Sequence, residues 1–279
     1  MAFILKFKEF IKANRILEPI IRFFIRPWLW YGMQKAFFKA WLREKNLVKY
    51  NKYQYLKDLK NSHVGERCFI VATGPSLTVN DLNLIKNEYS MSMNSAVLIM
   101  DKTDWKPELF AIQDEYVYQR IESSLQNTFK GNLKNRLIIS DYVQSFFKSA
   151  KNFRGFPVNL LDHKFNHEKT GVIMFSNDCH KIIYDNYSVI FSLMQLAIYM
   201  GFNEIYLLGS DCNYNQKKAH FIDHGATDPY ALHAGERLIY VHSKFKEFAD
   251  SNNVKVFNCT RGGMLEVYPR KSLEEVLGL

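Results

Sequence analysis

The sequence predicts an α/β protein, a mostly parallel sheet with helices on both faces, preceded by N-terminal amphipathic helices. Two observations lead there. From about residue 64 onward, short β-rich apolar runs alternate with stretches of helical periodicity, the pattern of strands joined by helical crossovers. The chain has 279 residues, 47% of them hydrophobic and 23% charged, which allows a sizeable core and excludes a disordered chain or a coiled coil. The expected organisation is a basic, aromatic, helical membrane-association segment over 1–50, a linker over 51–64, and one domain over 65–279 with a short lid at about 212–232.

Charge sets the first segment apart. Residues 1–50 hold 11 of the 37 Lys/Arg and 3 of the 28 Asp/Glu, which leaves 26 cations against 25 anions for the rest. The net charge of +9 therefore belongs almost wholly to one segment. Three of the four Trp (Trp28, Trp30, Trp41) lie there too, a mixture that suits a membrane interface better than a nucleic-acid groove, so no nucleic-acid partner is expected. Phe3, Phe7, Phe10, Asn14, Leu17, Ile21, Phe24, Trp28 and Tyr31 recur at alternating steps of four and three, one apolar stripe in helical conformation. Lys6, Lys8, Lys12, Arg15, Arg22 and Arg26 lie mostly off it.

Pro19 and Pro27 lack an amide N–H and crowd the preceding turn, so two or three short helices are expected, each Pro near a first turn. Arg22, Arg26 and Lys35 interrupt the best candidate for a bilayer span, and Lys6, Lys8 and Glu9 break the apolar run a signal peptide needs. The stripe could equally pack on the protein's own core or on a partner subunit. Its load of one-sign charge favours an anionic membrane surface, where each cation contributes about 1 kcal/mol.

In the body, strands are expected over Arg67–Thr73, Tyr89–Asn94, Leu109–Gln113, Arg136–Ser140, Glu204–Gly209 and Lys255–Asn258. Helices are expected around 80–87, 115–125, 141–149, 188–200, 231–251 and 272–277. Ligands in such folds sit beyond the carboxyl ends of the strands, which directs attention to three loops. After the first strand comes Ala72-Thr-Gly-Pro-Ser-Leu77, where Gly74 permits close backbone approach, Pro75 stiffens the turn and Ser76 offers a hydroxyl beside free N–H groups. It has neither the Lys of a phosphate-binding Walker loop nor the three glycines of a dinucleotide fingerprint, and a plain tight turn is an equal reading. After Ile205-Tyr-Leu-Leu-Gly209 comes Ser210-Asp211, a carboxylate suited to a ribose, a metal, a sugar hydroxyl or simply a cap. After the second strand comes Met93-Asn94-Ser95, whose amide suits a base edge or an ordinary turn.

Six of the eight His fall between 163 and 233, with His220 and His224 four apart around Asp223. Gly225 and Pro229 make that stretch a poor helix and nothing fixes a third ligand, so no metal site is expected. The four Cys form no close pair, which fits a reducing, cytoplasmic compartment, and Cys212 and Cys259 read as small buried apolar residues.

Taken together, Val71–Leu77, Ser188–Asp211 and His233–Cys259 resemble the bacterial lipooligosaccharide sialyltransferases, and also the motility-associated-factor and pterin-pyrophosphokinase-like proteins that share their Rossmann-like core. The resemblance covers about residues 65–260, and its most specific part is the apolar helix from Ser188 that leads into a strand and ends in Gly209-Ser-Asp211. It implies a CMP-sugar site, with Thr73, Gly74, Pro75, Ser76 and Asn94 near the nucleotide, Gln113 and Gly209 beside them, Asp211 closing the motif, and Ser188 near a phosphate or sugar carboxylate. It also implies that His233 is the general base and that Tyr214 and His220 assist the leaving phosphate. The sequence departs from the sialyltransferase pattern where Thr73 and Gln113 stand in place of Asn, where Tyr214 is one position off and His220 or Phe221 stands near the second Tyr, and where the lid is much shorter.

The chemistry suits these residue types. An inverting glycosyl transfer needs a base for the acceptor hydroxyl, and a His with a pKa near ~6.5 is well poised at neutral pH. It also needs donors for the departing phosphate, which Tyr214, His220 and helix-start N–H groups would supply. On residues alone, His233 reads more readily as a capping or core His of an amphipathic helix, and the resemblance brings the two readings level. The expectation is an inverting glycosyltransferase, peripheral on the inner face of the membrane, moving a sialic-acid-like sugar from a CMP donor to a cell-surface glycan precursor, with no obligatory cofactor and with a homo-oligomer left open. Its rivals are a magnesium- and ATP-dependent pterin pyrophosphokinase-like transferase and a non-enzymatic module of a polysaccharide assembly complex.

Overall fold

The computed structural model describes residues 17–49, 51–160, 173–213 and 234–279. The chain divides into two compact units, Met1–Lys49 and Tyr50–Leu279. Among the described residues of the first, helix α1 (Leu17–Glu44) runs for 28 residues. It continues through Pro27, which the sequence marks as a boundary between short helices. Pro19 does sit in a first turn, but Pro27 lies inside the helix, where its missing N–H removes one ladder bond without ending the rest. Among the described residues no helix is long and apolar enough to cross a membrane. Phe3, Phe7, Phe10 and Asn14 lie outside the described residues.

The second unit is built on a seven-stranded sheet in which every pairing is parallel. Its strands are β1 (Arg67–Val71), β2 (Ser90–Met93), β3 (Leu109–Ile112), β4 (Leu137–Ser140), β5 (Arg154–Phe156), β8 (Glu204–Leu208) and β9 (Lys255–Asn258), in the order β5-β4-β3-β2-β1-β8-β9. A separate parallel pair joins β6 (Val158–Asn159) to β7 (Ile183–Tyr184). The helices are α2 (Gln54–Leu59), α3 (Val79–Leu84), α4 (Glu115–Thr128), α5 (Asp141–Phe146), α6 (Val189–Met200), α7 (Ala234–Ser251) and α8 (Leu273–Leu277).

The period-two alternation of the strands sorts side chains into two cores. Cys68, Ile70, Ile205 and Leu207 pack on one face with Phe191, Leu193 and Met194 of α6 and Val241 and Phe245 of α7. Phe69, Val71, Tyr206 and Leu208 point to the other face and meet Leu82 of α3 and Tyr118 and Ile121 of α4. The arrangement is Rossmann-like. Helix α6 is apolar all round because it is covered all round: every residue but Ile198 is buried. It ends where Gly201 takes a left-handed φ of 93°, which satisfies the last carbonyls at no cost in side-chain crowding.

Residues 51–64, expected as a linker, hold α2 and feed the core. Leu56 is fully buried, the Tyr53 hydroxyl donates to Asp141 at 3.0 Å, and the Tyr55 hydroxyl donates to the Gly155 carbonyl at 3.2 Å. The last of these bonds engages edge strand β5, whose open backbone would otherwise invite pairing.

Candidate functional site

The strand order creates the site. From β1 the chain builds outward through β2, β3, β4 and β5, then returns to place β8 on the other side of β1. At such a reversal the loops after the two central strands diverge to opposite faces and leave a crevice at the carboxyl edge. Here the loops after β1 and β8 are linked by their backbones: Ala72 N–H donates to Leu208 O and Gly74 N–H to Gly209 O, both at 2.8 Å. The crevice is lined by Thr73 and Gly74 after β1, Asn94 after β2, Ser188 and Ile190 at the start of α6, Gly209 to Asn213 after β8, and Leu238 and His242 of α7.

Asp211 is the pivot. Its Oδ2 accepts from the Ser76 hydroxyl at 2.8 Å and from the Ser76 N–H at 3.4 Å. Its backbone carbonyl accepts from Met264 N–H at 2.7 Å, which anchors the loop after β9. Burial raises the Asp211 pKa, and the Ser76 hydrogen bonds oppose that rise. Gly74 is required by packing, because a Cβ there would collide with Asp211 Oδ2 and the Gly209 carbonyl. Thr78 and Asp81 form a capping box that starts α3, and Arg261 donates to Asp81 at 2.8 Å, so both ends of this loop are held.

Two lining residues carry acceptor capacity. Asn94 stands in the left-handed region at φ 52°, and its buried Oδ1 has no hydrogen-bond partner among the described residues. Leaving such an acceptor unmade costs about 1–3 kcal/mol, which a ligand N–H would relieve. The other is His242, buried on the inner stripe of α7. The Tyr268 hydroxyl lies 3.1 Å from the His242 carbonyl and 3.0 Å from His242 Nδ1. Both contacts are satisfied together when the hydroxyl donates to the carbonyl and Nδ1–H donates to the phenol oxygen. Burial pushes the Tyr268 pKa up, so that proton is kept. In that arrangement the ring is the neutral Nδ1–H tautomer, with its lone pair on Nε2.

Burial pushes the His242 pKa down to about 3. An unfolded His titrates near ~6.5, so on acidification the unfolded chain takes the proton first and the folded state loses stability. That contribution is present in full above about pH 6.5 and falls by up to about 1.4 kcal/mol per pH unit below it. Asp211 acts in the opposite sense, since an acid with a raised pKa favours the folded state on acidification. Urea melts between pH 6.5 and 5, above the range of ordinary carboxylates, are expected to show falling stability for the native chain and a flatter profile for His242→Gln. Equal slopes would mean that His242 is not held neutral.

Of the residues named from sequence, Thr73, Gly74, Asn94, Ser188, Gly209 and Asp211 come together in this crevice, and Ser76 touches it through Asp211. Pro75 lies in the same loop and is not among the lining residues. Gln113 is not brought there. Its Oε1 accepts from the Ser192 hydroxyl at 2.5 Å and its carbonyl accepts from Ser140, so it ties α6 to the sheet from within. Tyr214, His220, His233 and most of the lid expected at about 212–232 lie outside the described residues. Sequence reasoning missed His242, although Leu238, Val241, His242, Phe245 and Ala249 repeat at helical spacing and mark it as inward-facing. Cys212 also lines the crevice, and burial pushes its thiol up to about 12, so it is an unreactive wall.

Structural comparison finds similarity to a MAf glycosyltransferase from Magnetospirillum magneticum AMB-1, at 17% identity and a TM-score of 0.49, covering 80% of this chain and 38% of that one. The chain thus spans well under two thirds of that protein's length. Comparison with curated proteins finds no match. A sequence model described as 6-hydroxymethylpterin diphosphokinase MptE-like matches residues 43–217, more than half of the chain, and the protein therefore belongs to the MptE-like family.

Proposed function

We propose that this protein is a nucleotide-dependent transferase that moves a sialic-acid-like sugar from a CMP donor to a cell-surface glycan precursor, with inversion, at the inner face of the membrane. The observation that carries the reading is the crevice at the reversal of strand order, where the Gly74 loop, Asp211, Asn94 and the start of α6 converge. Among the described residues Ser188, at the N-terminus of helix α6, makes no capping hydrogen bond with its side chain, so its hydroxyl would serve a phosphate oxygen at the helix start. Asn94 Oδ1 would accept from an exocyclic amino group of the base. In the transfer, the acceptor hydroxyl oxygen bonds to the anomeric carbon as the bond from that carbon to the phosphate oxygen breaks. His233 takes the hydroxyl proton, and Tyr214 and His220 donate to the departing CMP.

Family membership favours a second reading, transfer of pyrophosphate from ATP to a hydroxyl. That chemistry uses magnesium, which is held through one or two carboxylates and the substrate's own phosphates. Among the described lining residues Asp211 is the single carboxylate, and Ser76 already occupies its Oδ2, which suits an ion carried in largely by the nucleotide.

Thermal-shift titration with CMP, CDP, UDP, GDP and ATP, each with and without magnesium, separates these readings. A ligand at 100 times its Kd stabilises the fold by about 2.7 kcal/mol. The expected outcome is a shift with CMP that does not depend on magnesium. A shift confined to ATP with magnesium would replace the first reading by the second, and no shift with any nucleotide would favour a non-enzymatic assembly module.

A further inference from the structure

Helix α1 carries an unusual surface. Phe23, Phe24, Trp30, Tyr31, Phe38 and Trp41 recur at helical spacing along one side, and each is between 45% and 73% exposed. On the reverse lie Gly32, Met33, Ala36 and Ala40, small or less exposed. Large aromatics scattered singly on a surface need no explanation, but a stripe over about five turns is far more than a water-facing helix sustains.

Charge selects what covers it. Residues 17–49 hold seven Lys/Arg (Arg22, Arg26, Lys35, Lys39, Arg43, Lys45, Lys49) against Glu18 and Glu44. A second copy of the chain would bring the same excess of positive charge face to face, whereas an anionic lipid leaflet complements it. Lys35 is exposed one turn from Tyr31, Phe38 and the exposed Lys39, so its stem can lie along the apolar stripe while the two ammonium groups reach headgroups. Trp and Tyr suit that depth, with an apolar ring and a polar edge. We infer that α1 lies flat in an anionic membrane surface, with the Phe23 to Trp41 stripe buried in the acyl boundary and its cations at the phosphates. This gives the proposed location a defined contact surface and is independent of which nucleotide the other unit binds.

The test is flotation of the full-length chain with vesicles of phosphatidylcholine alone and of phosphatidylcholine mixed with phosphatidylglycerol. The native chain is expected to float with the mixed vesicles and to be released by salt. Phe24→Ser/Trp30→Ser/Phe38→Ser should lower binding to them by at least about tenfold, since three large apolar groups leave the boundary. Lys35→Glu/Lys39→Glu should lower it about tenfold or more on mixed vesicles and little on neutral ones. All these positions are exposed, so the variants should keep the native melting temperature, measured alongside. Full flotation of the triple variant, or no flotation of the native chain, overturns the inference. A native dimer that the triple variant turns into a monomer overturns it too, because the stripe would then be covered by a second copy. A native chain that floats but binds no nucleotide would refute the transferase reading and leave this one standing.

Discussion

Gly74→Ala is expected to lower CMP affinity by more than about a hundredfold, and Gly74→Val to abolish it. The reason lies in the protein and precedes any clash with a phosphate. A Cβ at position 74 would fall on Asp211 Oδ2 and on the Gly209 carbonyl, with Asp211 Cγ only 2.8 Å away. Neither neighbour can yield cheaply: one is backbone after a central strand, and the other is a carboxylate held by the Ser76 hydroxyl at 2.8 Å. The loops after β1 and β8 must separate, which costs about 1–3 kcal/mol as overpacking. It also dismantles the wall that the crevice depends on. Gly262→Ala is the control, since the nearest atom to its added methyl would be Ser76 Cβ at 4.0 Å, an ordinary contact. Titration calorimetry with CMP on both variants checks this. Native affinity in a folded Gly74→Ala protein would remove this loop from the site.

His233→Ala is expected to lower kcat by roughly 10²–10⁴ with donor affinity nearly unchanged, the usual contribution of a general base that meets the acceptor hydroxyl in the transition state. The pH profile of kcat/KM tells His233 apart from His242. A histidine of ordinary pKa gives an acidic limb near ~6.5, which the His233 variant should lose. His242, held neutral down to about pH 3 by burial, cannot give a limb there. If activity stays within a few-fold in His233→Ala, His233 is not the base, and the search passes to His220, His224 and Asp211.

Much of the fold could be read from local pattern. The six strands expected from apolar runs are present within one or two residues at their ends, and the six helices of the body within three. Their β-branched and aromatic runs, and the apolar period of α6, agree with what the sheet needs at each place. The elements that were missed share a cause. Strand β5 is three residues, Arg154-Gly-Phe156, with a glycine at its centre, and has no run to detect. Helix α2 is six residues without a capping side chain, held by tertiary bonds from Tyr53 and Tyr55. In α1 the reverse error occurred, since Pro27 was given the power to stop a helix that the remaining ladder of 28 residues continues through.

By itself the sequence determined which segments pair into a sheet, which helix is buried on all sides, and that nearly all net charge lies in the first 50 residues. These are matters of composition and short periodicity. Only the tertiary structure decided that β8 lies beside β1, so that Asp211 meets Ser76 across 135 residues of chain. It also decided that His242 turns inward against Tyr268, and that Gln113 ties α6 to the sheet instead of lining the crevice. Strand order and the facing of single side chains depend on contacts between distant segments, and no local pattern encodes them.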